Sequence, residues 1–380
     1  MTYAPTMSRA DRSPLSQWWW TVDRTALILA LCLMAAGLLF AFASSTAAAN
    51  RLDIANPFYF VSRQAVFAFI AAMVMTGLSL LSPTGVRRFA IIGYAVMVLV
   101  MVAIIFGGHE AKGAQRWLKF GSFTFQPSEI LKPCLIILAA WMFAERAGRP
   151  GFPGARIAMG LFLVPACLLI AQPDVGQTFL LTISFLIVFF VAGMPWIWIA
   201  GFAIIAVLGG AALYMTLPHV AKRVNGFLNP GGEENYQIER ALDAIASGGI
   251  LGRGPGEGEV KALLPDSHTD FIYAVASEEF GLLAGVGLII LFAFLIVRGL
   301  AAAAKQTDAY SQLAATGLFS LLGCQVAINI AVNLHLIPPK GMTLPFISYG
   351  GSSLLGSAIT IGLALALIRR RPGASLNTSP

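Results

Sequence analysis

Two aspartates and a histidine lie close together in a polar stretch of an otherwise apolar chain, as Asp266, His268 and Asp270. Asp270 is followed at once by Phe-Ile-Tyr, which places its carboxyl group at the rim of an apolar region. Burial raises the pKa of a carboxyl group and a nearby cation lowers it, so a group balanced between the two can accept a proton from a hydroxyl. Asp270 is therefore a candidate general base. His268 is either the alternative base or a residue that orients the site.

Two simpler uses of this stretch remain open. Thr269 or Asp270 could cap the apolar helix that begins here. Aspartate and histidine also bind metals, but no spacing in the stretch requires one, so no metal ligand is assigned. Of the chain's 18 carboxylates, ten lie between Glu233 and Glu279, and this concentration favours a chemical role.

Cationic residues collect in a second polar segment, which contains Arg116 and Trp117. Glu129 and Lys132 follow at the mouth of an apolar run, and their i, i+3 spacing lets them pair on one side of a helix. Charges in such a place are costly unless they face water or the protein interior. The pair either fixes the topology, or it forms a cationic lining for an anionic ligand, with Lys132 contributing and Glu129 holding it in place.

Two further breaks between apolar runs carry polar residues. Asp174 follows a Gln-Pro pair and is placed to cap the next helix. Near the C-terminus, Lys340 stands beside Thr343 and is a candidate for contact with phosphate. The small residues Gly350 to Ser353, which include Ser352, either pack helices together or let a ligand come close.

These residues must be positioned by membrane-spanning helices. The chain has 380 residues, 57% hydrophobic and only 11% charged, with a mean hydropathy of +0.77. Apolar runs of roughly 17–25 residues suit a bilayer core of about 30 Å. We predict an all-α polytopic membrane protein with ten transmembrane helices. The spans centre near residues 25–44, 64–81, 89–107, 128–144, 157–171, 175–192, 195–217, 270–297, 310–334 and 344–368.

The eighth span would exceed the bilayer thickness if it began at Asp270, so we expect its first turns to stand in a loop or a cavity. Basic residues in the short loops favour cytoplasmic termini. The organisation is then a cytoplasmic tail over residues 1–24, a single ten-helix domain over 25–371 and a cytoplasmic tail over 372–380. One large extracytoplasmic loop, residues 218–269, connects helices 7 and 8. Residues 1–20 are expected to be disordered.

Within the large loop, the spacing of apolar residues from Tyr236 predicts a short helix that lies on the membrane surface, on the bundle or in solvent. The glycine-rich run Ala246–Glu259 matches no phosphate-binding motif, and a close-approach loop is the better interpretation. The net charge of +7 indicates topology and anionic-lipid contact rather than nucleic-acid binding. Four cysteines lie in apolar runs and are expected to be core residues: Cys32, Cys134, Cys167 and Cys324.

Several blocks of this sequence together resemble the SEDS family of membrane proteins, which comprises the FtsW, RodA and SpoVE proteins. The resemblance covers roughly residues 20–370 in order, and the KGMTLPFISYGGSS run is most similar to the members that act in cell division. The blocks are GAQRWL (Gly113 to Leu118), QPSEILK (Gln126 to Lys132), RVNGFLNP (Arg223 to Pro230), LPDSHTDFIYAVASEEFG (Leu264 to Gly281) and PPKGMTLPFISYGGSS (Pro338 to Ser353).

The resemblance implies a peptidoglycan glycosyltransferase of the inner membrane that polymerises lipid II at the division septum and releases undecaprenyl diphosphate. It implies a class B penicillin-binding protein, an FtsI-like transpeptidase, as a partner among other division proteins. Asp270 aligns with the family's essential aspartate. A divalent cation, Mg²⁺ or Mn²⁺, could share the task of binding diphosphate. The candidate substrate-binding residues are Arg116, Trp117, Glu129, Lys132, His268, Lys340 and Ser352.

Two other classes of function suit ten spans. One is a flippase or transporter for the lipid-linked precursor, since charged residues at helix breaks are also typical of carriers. Ionisable residues collected on the outward side argue against it. The other is a scaffold without chemistry, which would tolerate loss of Asp270.

Overall fold

The computed structural model describes residues 13–51, 53–107, 109–111, 114–120, 123–216, 218–228, 236–338 and 341–370. These residues form fourteen helices and three short strands. The helices are α1 Pro14–Thr21, α2 Arg24–Arg51, α3 Tyr59–Ser79, α4 Pro83–Gly107, α5 Ser128–Gly148, α6 Gly154–Ala171, α7 Val175–Val191, α8 Trp196–Thr216, α9 Pro218–Leu228, α10 Tyr236–Gly248, α11 Val260–Leu263, α12 Ile272–Ala303, α13 Ala309–Asn333 and α14 Gly351–Ile368. The strands, β1 His109–Ala111, β2 Ala114–Phe120 and β3 Phe123–Phe125, form one antiparallel sheet in that order.

Ten of these helices coincide with the ten predicted spans, which confirms an all-α polytopic fold. Within the described residues, eight are long and apolar enough to cross a membrane. The other two are α7, which is apolar but has 17 residues, and α5, which has 21. Charged residues at both ends of α5, from Glu129 and Lys132 to Glu145 and Arg146, lower its hydropathy.

The centre of the bundle is formed by α5, α13 and α14. Buried residues follow almost the whole length of α14 and most of α5 and α13. Consecutive spans alternate in direction, so the starts of α5, α7, α12 and α14 meet at one end of the bundle, which we call the site end. The sheet and helices α10 and α11 lie at that end too.

Helix α12 is broken at Gly281, where φ is 80° and ψ is 175°. The glycine-rich run packs against the break. The N–H groups of Arg253 and Gly254 donate to the carbonyls of Glu278 and Glu279, each at 3.0 Å. A methyl group at Gly252 or Gly281 would overlap the backbone of the other segment, which requires glycine at both positions. The predicted close approach is therefore confirmed, and the break separates the first turns of the long eighth span from the rest.

The N-terminal region departs from the expected disordered tail over residues 1–20. Residues 14–21 form α1, with Ser13 as its N-cap and Pro14 in its first turn. Trp18 is buried, and its Nε1 donates to Ser79 Oγ at 2.8 Å. The indole therefore anchors α1 to the bundle, a tertiary contact that composition does not reveal.

Two other details differ from the expectations. Helix α14 begins at Gly351 rather than at residue 344, because Phe346 adopts a φ of 64° and residues 345–347 form a turn. All four cysteines are free, but Cys32 and Cys167 are exposed on helix surfaces instead of lying in the core. In a membrane span, a thiol can face lipid at little cost because it behaves as a small apolar side chain.

Candidate active site

The backbone of Asp270 is fixed on both of its sides. Asp266 adopts a φ of 54°, and its carbonyl accepts from the N–H groups of Thr269 (3.0 Å) and Asp270 (3.1 Å). The carbonyl of Asp270 accepts from the side-chain amides of Asn329 and Asn333, each at 3.0 Å. A tight turn and two amides from α13 therefore hold the predicted base in place.

Neither Thr269 nor Asp270 is the N-cap of the following helix. The N-cap of α12 is Phe271, and it makes no side-chain capping hydrogen bond. The Asp270 side chain is partly exposed, and a methyl group at Gly341 would lie 3.7 Å from its Oδ2. Gly341 therefore passes beside the carboxylate. Lys340, the predicted phosphate contact next to Gly341, lies outside the described residues.

A row of buried amides on α13 supports this turn. Gln325, Asn329 and Asn333 lie four residues apart on one helix face. Asn329 also donates to the Met342 carbonyl at 2.6 Å, and Gln325 donates to the Thr343 carbonyl at 3.2 Å. Sequence reasoning missed these residues. The signal was available, because polar side chains repeated at helical spacing inside an apolar span mark a functional face.

Asn329→Leu is expected to lower the activity that the family resemblance implies, lipid II polymerisation, about tenfold to a hundredfold, because small displacements of a catalytic group have effects of that size. The substitution leaves the carbonyls of Asp270 and Met342 with fewer donors. Steady-state polymerisation rates would be compared with those of Gln325→Leu, which alters the same helix face but removes a hydrogen bond to Thr343 instead of one to Asp270. Equal losses in the two variants would contradict a specific role in placing Asp270.

The segment 342–349 ties the Asp270 turn to the start of α14. Ser348 Oγ donates to the Thr269 carbonyl at 2.5 Å and accepts from the Leu344 N–H at 2.7 Å. The N–H of Tyr349 donates to the His268 carbonyl at 2.9 Å. The His268 ring packs against Phe60, with ring centroids 4.7 Å apart, and against Tyr349 at 5.7 Å. His268 is thus held within an aromatic cluster.

Ser352 connects α14 to β3 and to the residue that follows it. Its hydroxyl donates to the Thr124 carbonyl at 3.0 Å and accepts from the Gln126 N–H at 3.1 Å. Ser352 is buried, and its neighbour Ser353 shares a 2.5 Å hydrogen bond with Thr343. The Ser352 hydroxyl therefore makes both of these hydrogen bonds with backbone groups. Its role is to position the segments that it joins.

Asp174 connects this network to Arg116. Its Oδ2 accepts from the Gln126 side chain at 3.3 Å, and its Oδ1 lies 3.4 Å from Arg116 Nη1. Oδ1 also accepts from the Gln177 N–H at 3.3 Å, which confirms the predicted cap of α7. Arg116 lies on β2, and its side chain is 22% exposed. Trp117 is next on the same strand and points to the opposite face.

Glu129 and Lys132 form a buried pair that faces the protein interior. Lys132 Nζ lies 3.0 Å from Glu129 Oε2 and 2.8 Å from Gln177 Oε1. The Gln177 amide donates back to Glu129 Oε1 at 2.8 Å. The predicted i, i+3 contact is therefore observed, closed into a triangle by Gln177. Lys132 is only 1% exposed, so its positive charge lies beneath the surface of the site.

Burial raises the pKa of Asp174, which lies between α6 and α7, above its ordinary value of 3.8, and Arg116 is the strongest opposing influence. A carboxyl group with a raised pKa stabilises the fold at low pH and loses that contribution as the pH rises through its folded pKa. In Arg116→Gln, the pKa of Asp174 would rise further. The stability that the fold loses as the pH rises would then be larger.

We expect the stability cost of Arg116→Gln to be about 2 kcal/mol where Asp174 is ionised, and to shrink as the pH is lowered from about 8 to about 4 and Asp174 takes up protons. Thermal unfolding midpoints of the detergent-solubilised protein across this range measure the difference. Lys119→Gln removes an exposed cation from the same strand and serves as the control. A cost for Arg116→Gln that does not change with pH would contradict the coupling to Asp174.

The fold and this site define a polytopic helical membrane protein with a carboxylate and paired cations connected at one end of its bundle. Comparison with known proteins assigns a protein of this architecture to a family. The chain belongs to the family described as "Cell cycle protein", the FtsW, RodA and SpoVE family, whose sequence model matches residues 23–372.

Two curated relatives illustrate the match. The chain is 52% identical over 367 residues to a Caulobacter vibrioides protein named "Probable peptidoglycan glycosyltransferase FtsW", covering 97% of this chain and 94% of that one. It is 32% identical over 362 residues to "Stage V sporulation protein E" of Bacillus subtilis, covering 91% and 97%. The sequence similarity therefore spans the whole bundle.

Solved structures share the fold. One is described as "Structural coordination of polymerization and crosslinking by a peptidoglycan synthase complex". The chain superposes on it with a TM-score of 0.75 and 28% identity, covering 92% of this chain and 98% of that one. The rod shape determining protein RodA of Thermus thermophilus gives a TM-score of 0.66 at 26% identity, covering 92% and 97%.

Proposed function

We propose that this protein is a peptidoglycan glycosyltransferase that polymerises lipid II during cell division. The observation that carries the proposal is a continuous connection at the site end. Hydrogen bonds and short stretches of chain lead from Asp270 through Ser348 and Ser352 to Asp174 and Arg116. A general base and a cation are thereby fixed in one polar frame, beside membrane spans on which a lipid tail can lie. The similarity to proteins named peptidoglycan glycosyltransferase supports the same activity.

The chemistry follows from the substrate. Lipid II carries its sugar on a diphosphate linked to a polyprenyl chain. The Asp270 carboxylate takes the proton of an acceptor sugar hydroxyl, and the hydroxyl oxygen attacks the anomeric carbon with inversion. The bond from that carbon to the diphosphate oxygen breaks, and undecaprenyl diphosphate leaves with the bonding electrons. The site must therefore supply a base near the nucleophile and positive charge near the leaving group.

Arg116 is the cation best placed to meet the diphosphate, because it is partly exposed at the rim while paired with Asp174. Lys132 adds positive charge from the buried wall, and Glu129 and Gln177 hold it. Lys340 is proposed as a third cation because its neighbour Gly341 passes the Asp270 carboxylate. Trp117 and His268 are proposed to contact the sugar or lipid through their rings.

A divalent cation stays part of the proposal on chemical grounds alone. Among the described residues, no cluster of three or more His, Cys, Asp or Glu side chains could hold a metal ion. Mg²⁺ needs only one or two carboxylates when phosphate oxygens and water complete its shell. Asp270 is kept as the base near the nucleophile, so no protein ligand for the ion is assigned. The bound ion would neutralise charge on the leaving diphosphate.

The location and partners follow from the same activity. The chain is a multi-pass membrane protein. We place it in the inner membrane at the septum, with both termini cytoplasmic and the site end outside. Glycan strands made there must be crosslinked, so we propose a class B penicillin-binding protein as its partner. A solved relative described as coordinating polymerisation and crosslinking in a complex supports this pairing.

A lipid II flippase is the rival function. In the part of the chain that the structure describes, the buried charged residues all lie at the site end: Glu129, Lys132, Asp174, Lys261, Glu278 and Glu279. A carrier that exposes its substrate to alternate sides places such groups near the membrane midplane. The one-sided distribution therefore favours an enzyme.

The deciding experiment is a polymerisation assay. The purified full chain, alone and with its class B transpeptidase, would be incubated with labelled lipid II, and the glycan strands would be separated by gel electrophoresis. We expect polymer in the presence of the partner. Transfer of lipid II across vesicle bilayers with no polymer under any condition would support the flippase and overturn the proposal.

A further inference from the structure

A second polar pocket lies at the opposite end of the bundle from Asp270. Helix α2 begins there, and α12 and α14 end there. The cavity has a volume of about 340 Å³, within the range of small-ligand sites. Its polar lining includes the residues Asp23, Arg24, Arg298, Lys305, Gln306 and Arg370. Nothing in the proposed glycosyl transfer uses this pocket.

The lining is strongly cationic. It contains four basic residues and a single carboxylate, Asp23. Asp23 is already engaged, because its Oδ2 lies 2.9 Å from Arg298 Nη2 and its Oδ1 accepts from the Ala26 N–H at 3.0 Å. Lys305 and Arg370 are exposed. The pocket therefore carries an excess positive charge that its own carboxylate does not balance.

Aromatic side chains mark the depth of this pocket in the membrane. Trp20 lines it, and the guanidinium of Arg24 lies over the rings of Trp19 and Trp20, 4.8 and 4.5 Å from their centroids. Tryptophan is enriched where bilayer hydrocarbon meets the headgroups. The cations therefore lie at headgroup level, at the ends of three spans.

Exposed apolar surface continues from the pocket into the spans. Ile28 lies one turn below Arg24 on α2 and is 53% exposed. Phe294 lies one turn below Arg298 on α12 and is 52% exposed. Helices α2 and α12 pack against each other, and residues four apart share a face. A molecule with an anionic head in the pocket could thus lay apolar chains along both helices.

We propose that this pocket binds the phosphate-containing headgroup of an anionic phospholipid, with its acyl chains against Ile28 and Phe294. Basic pockets between spans suit such headgroups, and nearby lysines and arginines strengthen the attraction. A free phosphate would use the cations but not the apolar surface. An acidic peptide would use the charge but gains nothing from a position at the end of the spans. The lipid is the one occupant that uses both features.

The test uses the full chain in phosphatidylcholine vesicles that contain a trace of photoreactive phosphatidylglycerol. Cross-linked peptides would be located by mass spectrometry. We expect labelling at residues 20–24 and 298–306, displaced by unlabelled phosphatidylglycerol but not by phosphatidylcholine or inorganic phosphate. The double variant Lys305→Gln/Arg370→Gln should weaken labelling roughly tenfold. Arg88→Gln/Arg156→Gln, which removes two exposed cations outside the pocket, should not.

Four results would overturn the proposal. Labels spread evenly over the spans, or equal competition by phosphatidylcholine, would show no headgroup selectivity. Competition by inorganic phosphate at least as strong as that by the lipid would assign the pocket to free phosphate. Displacement by an acidic peptide but not by phosphatidylglycerol would assign it to a protein partner. Thermal unfolding midpoints of both double variants would establish that neither has lost its fold.

Discussion

Asp270→Asn is expected to reduce lipid II polymerisation by about 10²-fold to 10⁴-fold, the usual contribution of a positioned general base. The amide has nearly the same shape as the carboxylate but cannot take a proton at neutral pH. The backbone hydrogen bonds of residue 270, made by its carbonyl and its N–H, are kept in the variant. The loss should therefore appear in the rate of reaction and not in the stability of the fold.

The measurement is the initial rate of polymer formation with the partner present, with a thermal unfolding midpoint for each variant. Asp243→Asn is the matched control. It makes the same chemical change on α10, where Asp243 is exposed and pairs with Arg240 at 3.0 Å. Full activity in Asp270→Asn would refute its assignment as the base. A lowered unfolding midpoint would point to a structural role instead.

Lys132→Met is expected to destabilise the protein by about 3–5 kcal/mol, the usual cost of removing one partner of a buried ion pair. The carboxylate of Glu129 would remain buried, with the Gln177 amide as its remaining partner in this triangle. The change also removes positive charge near Asp174, so polymerisation should fall as well. Thermal unfolding in detergent and polymerisation rates measure the two effects separately.

The double variant Glu129→Gln/Lys132→Met separates stability from chemistry. With the carboxylate neutralised, most of the lost stability should return, because no unpaired charge stays buried. Polymerisation should remain about tenfold to a hundredfold below that of the unmodified protein if the lysine charge serves the leaving group. Recovery of full activity would show that the pair is only structural.

Much of the architecture was predictable because the membrane imposes simple rules. A bilayer core demands apolar runs of about 20 residues, so ten spans could be placed from hydropathy alone. The Glu129–Lys132 pair and the Asp174 cap were also predictable, because both depend on contacts within one helix or at its end. Local spacing is sufficient for such interactions.

The rest depends on contacts between distant segments. Asn329 meets Asp270 across 59 residues of sequence, and Ser352 meets Thr124 across 228. The late start of α14 depends on Phe346, whose positive φ is unusual for a bulky residue. The spacing of residues along the sequence does not predict these contacts. Identifying Asp270 as the base therefore used the family resemblance, and the network around it needed the structure.

The break at Gly281 has a consequence for how freely this region can change over evolution. The loop that supports the break does so through main-chain N–H and carbonyl groups, including a bond from the Leu282 N–H to the Gly249 carbonyl at 2.9 Å. Main-chain hydrogen bonds are kept when side chains are replaced. Substitutions at Arg253 or Glu257 should therefore cost little stability. The adjoining Gly252 and Gly281 have no such freedom, because any side chain there would collide with the facing backbone. Tolerance to mutation should thus alternate between neighbouring positions of one short loop.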